Sequence, residues 1–205
     1  IGKELGLDSI LLASNPFEKT YFKSGYCGVM PEILKTGEEK HAMERLPVSS
    51  ICKMAGHYAG QFISNPRYIN TSLIDTISAA ASYYMIPHNY LHLYDYIPWN
   101  ESVVDEVLVG QYDWEVADDT KSTWRIGDGT AAFYNYIYYM ITGFTENDTL
   151  RSNQIREGQI TREEGLALIY RDNRPRYDSI KWYFDTIGLP MREALDAINK
   201  MPKLY

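Results

Sequence analysis

At 205 residues, with 45% hydrophobic and 23% charged side chains, the chain has an ordinary globular balance and enough apolar mass for one sizeable core or two small ones, which excludes a disordered class. Its formal net charge of -7, pI near 5.1 and lack of any Lys/Arg-rich run do not point to nucleic acid as a partner. The longest apolar-leaning run, 74–86, is broken by Asp75, Thr76, Ser78 and Ser82 and stops at Pro87, short of the ~20 residues a membrane span needs.

The chain opens Ile-Gly-Lys-Glu-Leu-Gly-Leu, with no initiator Met and neither the basic nor the apolar part of a signal peptide, so it reads as the tail of a helix. Ile10–Ala13 is a short apolar run ended by Ser14-Asn15-Pro16, the pattern of a buried parallel strand running into a loop. Two cysteines, Cys27 and Cys52, are too few for a disulfide framework and point to a reducing, cytoplasmic setting. Cys52, His57 and His41 are near enough in sequence to suggest a metal site. No CxxC or HExxH motif accompanies them, so they are expected to be buried thiols and surface histidines, with no metal ligands.

Helical pattern fills most of the next stretch. Leu73, Ile74, Ile77, Ala80, Ala81 and Tyr84 recur at helical spacing behind Asn70-Thr71 as a cap. Tyr90–Ile97 alternates as a second strand before Pro98 stops it, so strand, helical crossover and strand predict an α/β sheet. Beyond Asp95 helices are predicted over Glu101–Val109 and Ala131–Ile141, the latter apolar or aromatic nearly all round and so expected to be buried. Thr161 and Glu164 form a capping box for a helix through Ile169, Tyr177–Thr186 stops at Gly188-Leu189-Pro190, and Arg192–Asn199 is the last. The sheet-bearing part is expected to cover 1–99 and a helical region completing the site 100–205.

Charge is unevenly shared. Residues 1–120 hold 8 Lys+Arg against 16 Asp+Glu, whereas 121–205 hold 12 against 11 and carry eight of the ten arginines. The planar fork of Arg suits bidentate capture of phosphate or carboxylate, so the second part is the place for a small anionic ligand. Ligands in open α/β sheets bind beyond the carboxyl ends of strands, which makes Ser14, Asn15, Glu18 and Asp95 candidates. The run Lys121-Ser-Thr-Trp-Arg-Ile-Gly-Asp-Gly-Thr130 leads into the aromatic helix, where Thr130 is expected to cap an anion-attracting N-terminus and Lys121 and Arg125 to add full charges. It is not a Walker A loop. From Gly143 to Arg156 polar side chains crowd together, interrupted after Phe144 only by Leu150 and Ile155; so apolar-poor a helix is expected to turn its polar face to a ligand or partner.

Thr123-Trp-Arg-Ile-Gly-Asp-Gly-Thr-Ala-Ala-Phe-Tyr-Asn-Tyr-Ile-Tyr-Tyr139, then Gly143 through Glu164, then Arg174-Pro-Arg176, closely resemble the C-terminal region of the N-acetyl sugar amidotransferases of bacterial surface-polysaccharide biosynthesis, including lipopolysaccharide O-antigen. The resemblance covers most of 95–205 and the earlier part more loosely. It implies an ATP-pyrophosphatase (PP-loop) enzyme with an adenine-nucleotide α-hydrolase-like parallel sheet, here truncated at its N-terminus, using ATP and Mg2+. Such an enzyme adenylates the acetamido carbonyl of a free or nucleotide-linked N-acetylated sugar. Ammonia, delivered by a glutaminase with a cyclase-like subunit, then displaces AMP to leave an acetamidino group. The family's Ser-Gly-Gly-x-Asp-Ser phosphate loop does not occur in these 205 residues, so by themselves they are expected to be inactive.

That chemistry needs positive charge for a pyrophosphate leaving group and fixed donors for the developing oxyanion, for which Lys121, Arg125, Arg151 and Arg156 are the candidates. It also needs a base for the ammonia proton, Asp128 or Glu146, while Asp148 would hold metal or a sugar hydroxyl. Asn15, Thr130, Asn153 and Arg156 complete the expected substrate contacts. Two other readings stand beside this one: a non-catalytic module docking the glutaminase through Thr145–Arg156, and a PP-loop enzyme that thiolates tRNA.

Overall fold

A computed structural model of the chain describes residues 5–13, 15–18, 22–29, 47–85, 90–121 and 129–204. The chain divides into two compact units, one of Ile1–Ser14 and Thr20–Ile97, the other of Asn15–Lys19 and Pro98–Tyr205. The expected helix tail at the N-terminus falls on residues 1–4 and His41 on 41, both outside the described residues.

The first unit carries a two-stranded parallel sheet. Strand β1 (Ile10–Leu12) pairs with β2 (Tyr90–His92), placing Ile10 opposite Tyr90 and Leu12 opposite His92. Between them in sequence run α1 (Val48–Ser64) and α2 (Thr71–Met85). Asn65-Pro66 ends α1, and the Asn70 side chain accepts from the Ser72 N–H at 3.0 Å to start α2, as the sequence leads one to expect. Three expectations need correcting. The strand at 10–12 is not buried, since Leu11 is 60% exposed. The second strand stops at His92, because the chain tightens into a 3-10 turn over Leu93–Asp95 instead of running extended to Ile97. Of the two thiols only Cys27 is buried; Cys52 lies on an open face of α1.

The second unit is helical: α3 (Glu101–Tyr112), α4 (Thr130–Thr142), α5 (Glu146–Arg156), α6 (Arg162–Asp172), α7 (Tyr177–Ile187) and α8 (Met191–Asn199). Its apolar core is built where α4 meets α7 and α8, from Ala132, Tyr136, Ile180, Phe184 and Ile198. Phe133 sits edge-on to Phe184 with centroids 4.8 Å apart, and burying side chains of this size stabilises by about 1.5–3 kcal/mol each. The aromatic helix is buried along one side only: Ala131, Ala132, Tyr136, Ile141 and Thr142 are inside, while Tyr139 is exposed.

Two glycines set how closely helices approach. Gly129 has φ 81°, and a Cβ there would lie 3.1 Å from the Ser179 carbonyl oxygen and from the side chains of Trp182 and Tyr183, so neither its backbone nor its surroundings accept a larger residue. Gly129, not Thr130, is the residue that precedes α4, and no side chain caps that helix; Thr130 is its first residue. At Gly165 in α6 a Cβ would lie 2.6 Å from Ile155 of α5, which makes the glycine the contact on which those helices lie against each other. Among the described residues no helix is long and apolar enough to cross a membrane.

Candidate functional site

The polar helix α5 is held by an unusual number of side-chain bonds, nearly all within its own unit. Thr145 caps it: its hydroxyl accepts from Asn147 N–H at 3.0 Å, while its own N–H donates to Asp148 Oδ2 at 2.8 Å. The same hydroxyl donates to Asn173 Oδ1 at 2.6 Å, and Asn173 Nδ2 donates to Asp148 Oδ2 at 2.7 Å. Asn147 Nδ2 donates to the Asp172 carbonyl at 3.1 Å and to Asn173 Oδ1 at 3.2 Å. The start of α5 is thereby stitched to the end of α6, where Asn173 is the C-cap.

Arg151 is the hub of the same helix and only 1% exposed. Its Nη1 donates to Glu101 Oε2 and, at 2.8 Å, to Gln154 Oε1; its Nη2 donates to Glu101 Oε1 at 3.1 Å and to Asp172 Oδ2 at 3.0 Å. Four of the five guanidinium donors are thus committed, to α3, α5 and α6 at once. Asp172 is shared with Arg171, whose Nε donates to Oδ1 at 2.5 Å. The expectation that α5 turns its polar face to a ligand is corrected for Arg151, Gln154 and Glu146, which are buried inside the fold, although the Arg151 Nε has no partner among the described residues.

The candidates fall in different places. Arg125 and Asp128 lie outside the described residues. Lys121 is exposed. Thr130 is half-buried at the start of α4, and Asp148 is engaged in the Thr145 cap. Asn153 donates to the Phe17 carbonyl at 2.8 Å, fixing the Pro16–Glu18 turn, and its Oδ1 accepts from the exposed Arg156. Asn15 is buried, with Oδ1 accepting from Phe17 N–H at 2.9 Å and Nδ2 without a partner among the described residues. None of the described candidates lines the cleft of the second unit. Among the described residues Arg151 is spent internally, and no three His, Cys, Asp or Glu lie together. Asp95 is exposed, while Glu18 is half-buried.

What the second unit does bring together is a small cleft at the junction of α4, the start of α5 and the α6–α7 turn, lined by Thr120, Asn135, Tyr136, Tyr139, Thr145, Asn147, Asp172, Asn173, Arg174 and Arg176, with Ala131, Ala132 and Pro175 between them. It offers about 30 Å3, room for one or two waters. One wall is set by Asp119. Asp119 accepts from Ser179 N–H at 3.0 Å, Ser179 Oγ at 2.9 Å and Arg176 Nε at 2.9 Å, and so caps α7 from outside. Burial pushes the Asp119 carboxyl up, but the bonds from Ser179 and Arg176 outweigh it and hold it below the ordinary carboxylate value. Asn135, Tyr139, Asn147 and Arg174 were not among the candidates from sequence. Asn135 left a signal, being the single amide in an otherwise apolar and aromatic helix, and Arg174 belongs to the Arg-Pro-Arg motif; what neither pattern conveys is that they meet.

Comparison with family models, curated proteins and solved structures returns no match.

Proposed function

We propose that the second unit receives the acetamido group of a free or nucleotide-linked N-acetylated sugar in an ATP-dependent amidotransferase of the PP-loop type, which converts acetamido to acetamidino with ammonia supplied by a glutaminase partner. One observation carries this: the three separate segments that resemble the N-acetyl sugar amidotransferases, 123–139, 143–164 and 174–176, all contribute to a single cleft, through Asn135 and Tyr139, through Thr145 and Asn147, and through Arg174 and Arg176. Segments forty residues apart in sequence acquire a common chemical setting only through the fold, so a shared ligand is the economical account of their joint presence.

The cleft suits recognition better than bond making. It holds amides, a phenol and guanidinium groups but no free base, so in this proposal it orients the sugar, while adenylation by ATP belongs to the phosphate loop that the resemblance implies and these 205 residues do not contain. Titrating the 205-residue chain with N-acetylglucosamine, glucosamine and glucose, followed by side-chain amide NMR, tests the binding half: saturable shifts of Asn135 and Asn147 are expected with the N-acetylated sugar alone. Equal shifts with glucose, or none with any sugar, overturn it. In the full-length natural protein, AMP release coupled to replacement of the acetamido oxygen by NH tests the reaction, and no AMP with any N-acetylated sugar removes the amidotransferase reading.

A further inference from the structure

Most of the polar groups that line this cleft are already bonded, and one full positive charge is left over. Asn147 uses its amide nitrogen on the Asp172 carbonyl and Asn173 Oδ1, and Asn173 uses both ends on Thr145, Asn147 and Asp148. Arg176 is paired with Asp119 and Ser179. The one carboxylate in the lining, Asp172, is held by Arg151 and Arg171. Among the described residues the Asn147 Oδ1 and the Tyr139 hydroxyl carry no bond, and two donor groups of the lining are likewise uncommitted.

The first of these donors is Asn135. Its Oδ1 accepts from the Glu146 backbone N–H at 3.2 Å, which fixes the orientation of the amide: only in that orientation does the oxygen meet a donor, so the free end is the NH2. The second is Arg174, an exposed residue whose guanidinium makes no hydrogen bond or ion pair with any described residue, in contrast to Arg151, Arg171 and Arg176 around it. Arg174 also starts from a fixed base. Asn173 before it is bonded on both sides of its amide, and Pro175 after it disfavours helical backbone at position 174. An uncompensated guanidinium that lines the same cleft as an oriented NH2 is matched by an acceptor that brings negative charge.

From this we infer that Arg174, with Asn135, binds an oxyanion, the phosphate or carboxylate of the ligand, and that Arg174 sets specificity for charged over neutral sugars. The inference deepens the sugar reading above and rests on it for the identity of the rest of the ligand. The planar fork of Arg takes two oxygens at once, whereas Lys in its place offers charge without that geometry.

The test uses the 205-residue chain with inorganic phosphate and with acetate as probes, read by NMR at the Arg174 Nε–H and the Asn135 side-chain amide. Saturable shifts at both groups with at least one probe are expected, lost in Arg174→Ala, whose unfolding midpoint should match the parent chain because the side chain is exposed and unbonded. N-acetylglucosamine, N-acetylglucosamine 6-phosphate and N-acetylneuraminate then separate the sources. A charge-bearing sugar should bind about tenfold tighter than the neutral one, Arg174→Ala should erase the gain, and Arg174→Lys should keep part of it. Preference for the phosphorylated or the carboxylated sugar identifies the oxyanion. No saturable shift with either probe, or shifts that persist in Arg174→Ala, overturn the inference. Neutral and charged sugars binding equally also overturn it while leaving the sugar reading intact; probe binding at Arg174 without binding of any N-acetylated sugar leaves the oxyanion site and removes the sugar reading.

Discussion

The two units spend their apolar residues in opposite ways. In the first, α1 and α2 are long and regular, yet Ile63 is 80% and Ile74 67% exposed, and the only buried residue of α1 is Ser50. In the second, shorter helices bury Leu150, Ile180 and Phe184, and bury Arg151, Glu146 and Gln154 with them. Helix formation and core formation are therefore separate achievements. A period of 3.6 suffices for the first, but a core needs a second face at the right distance, and the second unit obtains part of its interior from polar groups that satisfy one another.

That contrast can be broken most directly at its hub. Arg151→Ala leaves Glu101 and the nearly buried Asp172 short of a countercharge and is expected to cost about 3–5 kcal/mol, seen as a lower denaturant midpoint. Loss of activity in that variant would then report unfolding, whereas the sequence alone suggests a catalytic loss in an intact fold. A cost under about 1 kcal/mol would mean the network is not what holds α3, α5 and α6 together. Gly129→Ala, which forces a side chain into left-handed backbone against the Ser179 carbonyl, is expected to cost about 2 kcal/mol by the same measurement. Thr161→Ala removes the capping hydroxyl of α6 and should cost about 1 kcal/mol.

Asp119 sharpens the contrast through pH. Its carboxyl lies below the ordinary value in the folded state, so its contribution is complete above the unfolded value near about pH 4 and is lost as pH falls through the folded value. Unfolding midpoints of the parent chain and of Asp119→Asn should therefore converge as pH drops below about 4, and parallel profiles would contradict the capping role. The smallest effect belongs to the first unit: Ile63→Ser and Ile74→Ser should each change stability by no more than about 0.5 kcal/mol, and a larger loss would show that these side chains are covered in solution.

Much of the local structure was legible in the sequence because its causes are local. The capping box of Thr161 and Glu164, the αL stop at Gly188 and the Asn70 cap each follow from a few neighbouring residues. Misreadings arose where a distant partner decides. Thr130 has the right chemistry for a cap, but the close approach of α7 at Gly129 sets how α4 begins. Arg151 has the right chemistry for phosphate, but Glu101 lies 50 residues earlier and Asp172 21 residues later, and no spacing rule joins them. The cleft has the same character: Asn135 and Arg174 are each visible in the sequence, and their meeting is not.

The bonding of Arg151 also has a consequence in time. Two of its anchors, Glu101 and Asp172, sit on other helices, so the guanidinium reaches them only after α3 and α6 have come together with α5. Bonds that close after the folding barrier slow the reverse reaction and leave the forward one nearly untouched. If its bonds close after that barrier, Arg151 acts as a latch on the folded unit, setting how long it stays shut more than how quickly it closes.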